Sequence, residues 1–368
     1  MALKHLAFIV GARPNFMKVA PLLRAMKRFP DVKTTLVHTG QHYDQNLSKV
    51  FFDEVGLPTP DVSLEVGSGS HAVQTARIME RFEEYLQGAR SEPVSRVVVV
   101  GDVNSTMACT LVAAKMNTPV AHVEAGLRSF DRTMPEEINR LVTDALSDCL
   151  LVSEPSGVEH LLAEGKPSSQ IHLVGNVMID TLFEMLPKAK SLLTLAELRL
   201  EPGKFGVVTL HRPANVDEPK PLAALVDILA RVSKDAPLVF AIHPRTQERL
   251  KQFKLDETLA TAKGVRVTPP LGYLPFLALT SQAKFIITDS GGLQEESTAL
   301  GVPCLTMRPN TERPITVTEG TSTLIGSDVV SLERCLDEVL AGRYKRGKRP
   351  ALWDGKAAER MAEILARV

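Results

Sequence analysis

The chain has 368 residues, a length that suits two globular domains of common size. Its 43 basic and 43 acidic residues give a formal charge of zero, so no long-range field favours nucleic acid or an anionic membrane, and any anion must be bound locally. No apolar run approaches the roughly 18 residues of a membrane span, and no export signal is evident, so we expect a cytoplasmic protein. The four cysteines, Cys109, Cys149, Cys304 and Cys335, form no CxxC pair and are expected to be small core residues.

Short apolar segments alternate with amphipathic ones along nearly the whole chain. The first set contains LAFIV, TTLVHT, RVVVVGD, PVAHVEAG, CLLVSE and IHLVG, and the second contains FGVVTLH, LVFAIHP, VRVTPP, KFIITDS and PCLTM. This alternation predicts two parallel sheets covered on both faces, each in a doubly wound, Rossmann-like α/β domain. A helical pattern and the polar turn LEPGK separate the sets, so we expect domains at 1–175 and 176–353, followed by an amphipathic helix at 354–368.

Candidate functional residues were sought after each predicted strand, because ligands of open α/β sheets bind beyond the carboxyl ends of the strands. The first strand is followed by GARPNFMK, which places Arg13 and Lys18 at the start of a helix. Arg13 and Pro14 occupy the place where a dinucleotide fingerprint has its second glycine, so an arginine side chain is the predicted anion contact. A surface arginine beside a helix-starting proline fits the spacing equally well.

Carboxylates follow two further strands of the first half. Asp102 ends VVVVGD, where it could also cap the next helix, and Glu124 ends PVAHVE. In MPEEINR, Glu136 and Arg140 are one helical turn apart, and an ordinary i,i+4 ion pair is the alternative to a functional role. Together these residues predict a charged cluster at one edge of the first sheet.

Basic residues follow two strands of the second half, at His211-Arg212 and at His243-Pro244-Arg245. Because neighbouring parallel strands bring their carboxyl ends to one edge, these side chains are expected on one rim. The histidines have no HxxxH spacing and no nearby cysteine, so we expect no metal site.

The segment FIITDSGGLQEES runs from a buried strand into a helix. Ser290, Gly291 and Gly292 form a helix mouth, where free N–H groups and the helix dipole favour phosphate. Glu295 and Glu296 lie too far into the helix for a capping box, but a carboxylate there could accept hydrogen bonds from ribose hydroxyls. TERP then adds Arg313 to the same rim. A nucleoside diphosphate meets both requirements.

These motifs together resemble one family. GARPNFMK, TGQHYD, GDVNST, HVEAGLRS, PEEINR, HRPANVD, DSGGLQEE and TERP occur in the order and approximate spacing of bacterial non-hydrolysing UDP-N-acetylglucosamine 2-epimerases. The resemblance extends from about Phe8 to Gly320. It implies a GT-B type fold, in which two Rossmann-like domains enclose an interdomain active-site cleft and the C-terminal helix packs back on the first domain. It also implies a homodimer.

The resemblance implies an isomerase that needs no cofactor. The C2 proton of the sugar is not acidic, and the chain has no credible nicotinamide site for a redox route. The family instead eliminates UDP to give 2-acetamidoglucal and adds it back with inversion at C2. The family positions near the sugar carry the acid/base carboxylates Asp102, Glu124 and Glu136. Those near the diphosphate or elsewhere in the cleft carry Arg13, Lys18, Arg140, His211, Ser290, Gly291, Gly292 and Arg313, and Glu296 matches the ribose contact.

Some positions depart from the family pattern. Asn15 stands where many members have glutamate, YDQN replaces their Arg-Glu-Met segment, and Ala214 replaces another glutamate. The last two differences touch regions linked in the family to a second UDP-N-acetylglucosamine, an allosteric activator. Gln41, His42 and His243 are the candidate residues for that second site.

Four other functions fit parts of the pattern. A 2-epimerase of UDP-2,3-diacetamido-glucuronic acid shares similar segments, although TERP and Glu295 favour the plain substrate. A GT-B glycosyltransferase would need an acceptor platform, and aromatic residues are only 5% of this chain. A hydrolysing epimerase would release free N-acetylmannosamine. A non-catalytic UDP-sugar sensor would have no use for Asp102, Glu124 and Glu136 together.

Overall fold

The computed structural model describes residues 4–40, 56, 59–89 and 92–368, with the backbone alone for Arg13. The chain forms two compact units, of which the first comprises Met1–Phe183 and Ala351–Val368 and the second comprises Glu184–Pro350. The division expected between 175 and 176 lies just before the helix Val177–Lys190, whereas the units divide within that helix.

The first unit is built on one parallel sheet. Its strands in the described residues are β1 (Lys4–Val10), β2 (Val32–His38), β3 (Val62–Ser63), β4 (Arg96–Val100), β5 (Val120–Ala125), β6 (Cys149–Val152) and β7 (Ile171–Leu173). They are arranged in the order β3-β2-β1-β4-β5-β6-β7, and each neighbouring pair is parallel. Strands β2 and β3 therefore extend the sheet from β1 in one direction, and β5, β6 and β7 extend it from β4 in the other.

Helices cover both faces of this sheet. They are α1 (Arg13–Met26), α2 (His71–Gly88), α3 (Asn104–Lys115), α4 (Pro135–Leu146), α5 (Pro155–Ala163) and α6 (Val177–Lys190), with a 3-10 turn at Ser168–Gln170. Val97 and Val99 of β4 share one buried cluster with Phe82 of α2 and Val112 of α3. Val98, between them, is equally buried, so both sides of the strand face the core. This burial is why the strand sequences are continuously apolar instead of alternating.

The second unit repeats the arrangement. Its strands are β8 (Gly206–Thr209), β9 (Leu238–Ala241), β10 (Val265–Thr268), β11 (Phe285–Thr288), β12 (Cys304–Thr306) and β13 (Ser322–Leu324), in the parallel order β10-β9-β8-β11-β12-β13. Its helices are α7 (Thr194–Glu197), α8 (Pro213–Val216), α9 (Pro219–Val232), α10 (Pro244–Gln252), α11 (Asp256–Thr261), α12 (Tyr273–Thr280), α13 (Gly291–Leu300), α14 (Ile315–Thr318) and α15 (Val329–Leu340). Phe285 and Ile287 of β11 face one buried cluster and Ile286 faces another, as expected for a strand covered on both sides.

The C-terminal segment belongs to the first unit, where α16 (Ala357–Arg367) packs against α1. Trp353 is completely buried and donates its indole N–H to the Ser153 carbonyl, 3.2 Å away. Asp180 of α6 accepts the backbone N–H groups of Ala357 and Ala358 at 3.1 and 2.7 Å. A carboxylate from the outgoing helix therefore caps the returning one.

The cysteines Cys109, Cys149, Cys304 and Cys335 are buried free thiols, which confirms their expected place in the core. No helix within the described residues combines the length and apolarity needed to cross a membrane.

Candidate functional site

Each sheet contains one pair of adjacent strands whose following connections run in opposite directions across the sheet. In the first sheet this pair is β1 and β4, and in the second it is β8 and β11. Loops diverge there and leave a crevice beyond the carboxyl ends of the strands, which is where doubly wound proteins bind ligands. Most of the predicted functional residues follow these four strands or the neighbouring β5 and β12.

Glu124 stands at the end of β5 in an unusual backbone conformation. Its φ is +71°, and the pairing register with β6 shifts between Val123 and Ala125, which marks a bulge. A glutamate in the left-handed region is strained by about 1–2 kcal/mol, and such strain collects at functional sites. The bulge interrupts the regular alternation of side chains along β5, so it changes the direction of the Glu124 side chain.

The Glu124 carboxylate forms a buried ion pair with Lys18 of α1. Only one of its oxygens, Oε2, makes this contact. The other, Oε1, is buried and has no hydrogen-bond partner among the residues that the structure describes. Since a buried carboxylate oxygen normally accepts a hydrogen bond, this oxygen is suited to accept a proton or a hydrogen bond from a ligand.

A second charged group connects Asp102 to α4. Arg140 lies 2.6 Å from Asp102 Oδ2 through Nη2 and 2.7 Å from Glu137 Oε2 through Nη1. The Asn139 side-chain amide also donates to the Asp102 carbonyl at 2.8 Å. Asp102 is thus held by side chains of α4 and remains partly exposed, while Arg140 is nearly buried.

Arg140 pairs with Glu137, the neighbour of Glu136, whose spacing from Arg140 raised an i,i+4 ion pair as the alternative to a functional role. Glu136 is exposed to solvent at the start of α4. Glu137 is buried because the loop N–H groups of Ser129 and Phe130 both donate to its carboxylate at 2.9 Å. Burial opposes its charge, but these hydrogen bonds and Arg140 outweigh burial and lower the pKa of Glu137. The sequence shows adjacent glutamates but not which one the loop will bind.

Gly101 and Asn15 allow the first group to assemble. Gly101 has a φ of +70°, and a Cβ on it would lie 3.3 Å from Lys18 Nζ and 3.5 Å from Glu124 Oε2. Asn15 Oδ1 accepts from the backbone of Gly11 and Ala12, while its amide donates to Val100. Asn15, a departure from the family pattern, therefore ties the turn after β1 to the end of β4.

In the second unit, Asp289 anchors His211. Asp289 is fully buried after β11, and its Oδ1 lies 2.7 Å from His211 Nδ1. Backbone N–H groups of His211 and Arg212 and the Asn215 amide also donate to it. Burial opposes its charge, but these contacts, led by the His211 hydrogen bond, lower the pKa of Asp289. Because Nδ1 is engaged, the partly exposed His211 ring has Nε2 available for a ligand.

His243 is close to this pair. Its ring centroid lies 5.6 Å from that of His211, and its Nδ1 accepts the Arg245 N–H at the start of α10. Burial, with His211 as a further contribution, lowers the pKa of His243. Both histidines of the predicted rim are therefore neighbours. No cluster of three or more potential His, Cys, Asp or Glu metal ligands occurs in the described part of the chain.

The helix mouth at the start of α13 is narrow on one side. Ser290 is the residue before the helix and its side chain makes no capping hydrogen bond. A Cβ on Gly291 would lie 3.0 Å from Glu312 Oε1 and 3.3 Å from Arg313 Nη1, whereas one on Gly292 would meet nothing within 4 Å. Gly291 therefore permits a close approach of charged side chains, and Gly292 borders open space.

The glutamates of α13 have different partners. Glu295 lies 2.6 Å from Arg313 Nε, and Arg313 also pairs with Glu312. Glu296 accepts a hydrogen bond from the Tyr273 hydroxyl at 3.2 Å. Burial, opposed by this hydrogen bond, raises the pKa of Glu296 to about 7. The charge of Arg313 is therefore already balanced by two carboxylates. Its predicted role as a phosphate contact did not include this pairing.

Three predicted residues are not placed. Gln41 and His42 lie outside the described residues, as does the side chain of Arg13. Sequence reasoning also missed Glu137, Asn139, Asp289 and Tyr273. Asp289 lay within the quoted DSGG motif, and its position directly after a buried strand was the available signal for it.

Two doubly wound parallel sheets, each with polar or charged side chains at its switch point, define this chain as an α/β protein of GT-B type. A lipopolysaccharide outer core galactosyltransferase shares the fold with a TM-score of 0.56 at 12% identity. The chain belongs to the UDP-N-acetylglucosamine 2-epimerase family, whose model matches residues 24–366. Members of that family are epimerases, a class of isomerase.

Individual relatives match along nearly their whole length. A UDP-N-acetylglucosamine 2-epimerase of Methanocaldococcus jannaschii is 40% identical over 98% of both chains. A crystal structure of the M. jannaschii enzyme with UDP-GlcNAc and UDP has a TM-score of 0.87 and covers 99% of this chain and 100% of that one at 39% identity. A UDP-2,3-diacetamido-2,3-dideoxy-D-glucuronate 2-epimerase of Pseudomonas aeruginosa is 37% identical over 98% of this chain and 99% of that one. Since the archaeal enzyme matches so well, the expected restriction to bacterial enzymes is too narrow.

Proposed function

We propose that this protein interconverts UDP-N-acetylglucosamine (UDP-GlcNAc) and UDP-N-acetylmannosamine by eliminating UDP and adding it back. The M. jannaschii relative, which bears the name of this activity and whose structure contains UDP-GlcNAc and UDP, supports the substrate. The observation that carries the chemistry is the strained Glu124 beside Lys18, with one carboxylate oxygen that accepts no hydrogen bond from the described residues.

Elimination requires a base near C2 and stabilisation of the departing UDP. The C2 proton leaves to a carboxylate as the C1–O bond breaks, which gives 2-acetamidoglucal and UDP. Re-addition returns UDP to C1 and a proton to the opposite face of C2. Proton transfer on both faces calls for more than one acid/base group, and Asp102, Glu124 and Glu136 are our candidates. Lys18 and Arg140 limit the repulsion between the ionised groups of this cluster.

The second unit has the features that a leaving diphosphate needs. His211 Nε2 can donate to a phosphate oxygen when that nitrogen carries a proton, and Asp289 holds the ring through Nδ1. The N–H groups after Ser290, at the positive end of the α13 dipole, add neutral donors. We assign ribose binding to Glu296 and retain Arg13, Gly291, Gly292 and Arg313 as candidate diphosphate contacts. The interdomain cleft implied by the resemblance stays a prediction.

The nearest alternative is a 2-epimerase acting on UDP-2,3-diacetamido-glucuronic acid. The P. aeruginosa relative of that name, at 37% identity, favours it. Purified protein incubated separately with each UDP-sugar in D2O, and followed by NMR, decides between them. Our proposal predicts formation of UDP-N-acetylmannosamine with deuterium at C2. Turnover of the uronate alone would refute it. Free N-acetylmannosamine as the main product would identify a hydrolysing enzyme, and sugar transfer without C2 exchange would identify a glycosyltransferase.

We also propose a homodimer with a second, activating UDP-GlcNAc site at Gln41, His42 and His243. The family resemblance supports both. A cytoplasmic location is a further prediction, consistent with a UDP-sugar substrate. Light scattering measures the oligomeric state. If the second site exists, adding UDP-GlcNAc to the reverse reaction accelerates turnover of UDP-N-acetylmannosamine. In a His243→Ala variant that acceleration is expected to fall more than the basal rate.

A further inference from the structure

A charged network lies beneath the two strand ends that carry Asp102 and Glu124, and three of its four residues are buried. His122 of β5 and Asp144 of α4 are both 0% exposed, and His122 Nδ1 lies 2.7 Å from Asp144 Oδ1. Arg128 lies 2.7 Å from the other Asp144 oxygen, and it binds Glu164 through two N–H groups at 2.8 and 2.7 Å. None of these four residues has a role in the proposed reaction.

The two ring nitrogens of His122 face different acceptors. Nδ1 faces the Asp144 carboxylate, and Nε2 faces the backbone carbonyl of Gly101 at 2.8 Å. A carbonyl oxygen can only accept a hydrogen bond, and so can an ionised carboxylate. Neutral imidazole has one N–H group, so it can satisfy only one of these contacts. Both contacts are made together only when both nitrogens carry protons.

Asp144 is itself surrounded by donors. Its Oδ2 accepts the Gly126 N–H at 3.0 Å in addition to Arg128. Burial opposes its charge, but His122 and Arg128 outweigh burial and lower the pKa of Asp144. An ionised Asp144 can only accept a hydrogen bond, so the contact with His122 requires a proton on Nδ1. Two cations, His122 and Arg128, then face two anions, the buried Asp144 and Glu164, whose side chain is 38% exposed.

The network binds the backbone on either side of the candidate carboxylates. His122 donates to the carbonyl of Gly101, the residue before Asp102. Asp144 accepts from Gly126, two residues after Glu124. Gly101 also contacts the Lys18–Glu124 pair, since a Cβ there would lie within 3.5 Å of both partners. One imidazole thus links the loop after β4 to α4, which in turn holds the loop after β5.

We propose that His122 is a positioning residue that stays doubly protonated in the folded protein and, with Asp144, holds Asp102 and Glu124 at the spacing that proton transfer requires. It touches neither substrate nor reacting atoms. The inference rests on the proposed epimerase reaction for its kinetic consequence, but its structural part, the doubly protonated ring, is independent of that reaction.

The ring is tested first. Full-length protein labelled with 15N-histidine is observed by long-range 1H–15N correlation at pH 7.5, and the His122 signals are those missing from His122→Asn and His122→Gln. Both nitrogens are expected at the shifts of protonated imidazole. A nitrogen of His122 at the shift of an unprotonated ring overturns the proposal. This readout decides the charge state even if the protein turns over a different sugar.

The two variants then separate the two contacts. The asparagine amide can replace Nδ1 toward Asp144, and the glutamine amide can replace Nε2 toward Gly101, so each variant retains one donor. Because small misplacements of reacting groups cost up to about 100-fold in rate, we expect kcat to fall by about 10- to 100-fold in each variant. The KM for the UDP-sugar and the Kd for UDP are expected to stay within about threefold, since the proposed UDP contacts, apart from Arg13, belong to the second unit.

His172→Asn is the matched control, because His172 lies on the edge strand β7 outside the network. Its kcat is expected to equal that of the wild type. Wild-type kcat in both His122 variants, even with a lower Tm, would show that the network only stabilises the fold and would overturn the positioning role. If one variant fails to fold, the other variant and the wild-type spectrum still decide. Absence of UDP-GlcNAc turnover in the wild type would instead count against the proposed function.

Discussion

Replacing Glu124 with glutamine removes one charge from a buried ion pair while nearly preserving the shape of the side chain. The side chains of Lys18 and Glu124 are only 9% and 4% exposed. Removing one member of a buried pair leaves an uncompensated charge and typically costs about 3–5 kcal/mol. For a unit of this size that corresponds to a fall in Tm of about 10 °C. We therefore expect Glu124→Gln to be folded at 20 °C but measurably less stable.

The same substitution should affect catalysis more strongly than binding. An acid/base group contributes about 10²- to 10⁴-fold to rate, so kcat for C2 inversion is expected to fall by that factor. UDP affinity, measured by calorimetry, is expected to remain nearly unchanged because the proposed UDP contacts, apart from Arg13, belong to the second unit. Deuterium incorporation at C2 provides the rate. An unchanged exchange rate, or a large loss of UDP binding, would refute the role given to Glu124.

The chain offers a matched control for the stability effect. Lys33 and Glu92 form an ion pair of the same residue types, but their side chains are 39% and 61% exposed. Water already solvates that pair, so Glu92→Gln is expected to leave Tm and kcat essentially at wild-type values. Equal losses of Tm in the two variants would show that burial does not decide the cost.

Three further predictions follow from other contacts. Asp289→Asn removes the charge that orients His211 and is expected to lower kcat/KM by about 10²-fold and to weaken UDP binding. An unchanged Kd for UDP would contradict the role of the Asp289–His211 pair. Gly101→Ala is expected to lower kcat because its Cβ would crowd the buried lysine–glutamate pair, whereas Gly165→Ala, also at positive φ but with nothing within 4 Å, should lose comparable stability and retain kcat. Burial raises the pKa of Asp180 to about 6 from its ordinary 3.8, so the folded state holds the proton more tightly than the unfolded state. The free energy of unfolding therefore falls by up to about 3 kcal/mol as pH rises from about 4 to 6. Thermal melts of Asp180→Asn over this pH range should not show that fall.

Much of the fold could be predicted because buried parallel strands leave a strong signal. Runs such as VVVV in β4 and FII in β11 are apolar at every position, since both faces of each strand are covered. Glu124 could also be located, because a carboxylate ending such a run is conspicuous. The fold class was therefore accessible before any distance was known.

The local partners could not be predicted from spacing. Glu136 and Glu137 are both within a turn of Arg140, and the choice between them is made by N–H groups of a loop six to eight residues earlier in the chain. Asp289 and His211 are 78 residues apart, and only the adjacency of β8 and β11 brings them together. The His122 network was missed for the same reason, because its members lie on β5, in the loop after it, on α4 and just after α5.

The return of the C-terminal segment to the first unit has a consequence for synthesis on the ribosome. Lys4 of β1 donates to the carbonyl of Ala366, 362 positions later, and α1 packs against α16. The second unit, Glu184–Pro350, is continuous and has its complete sequence before α16 is translated. It can therefore fold while the first unit still lacks a helix, reversing the usual N-terminal-first order. One side of α1 therefore stays uncovered until α16 has emerged from the ribosome.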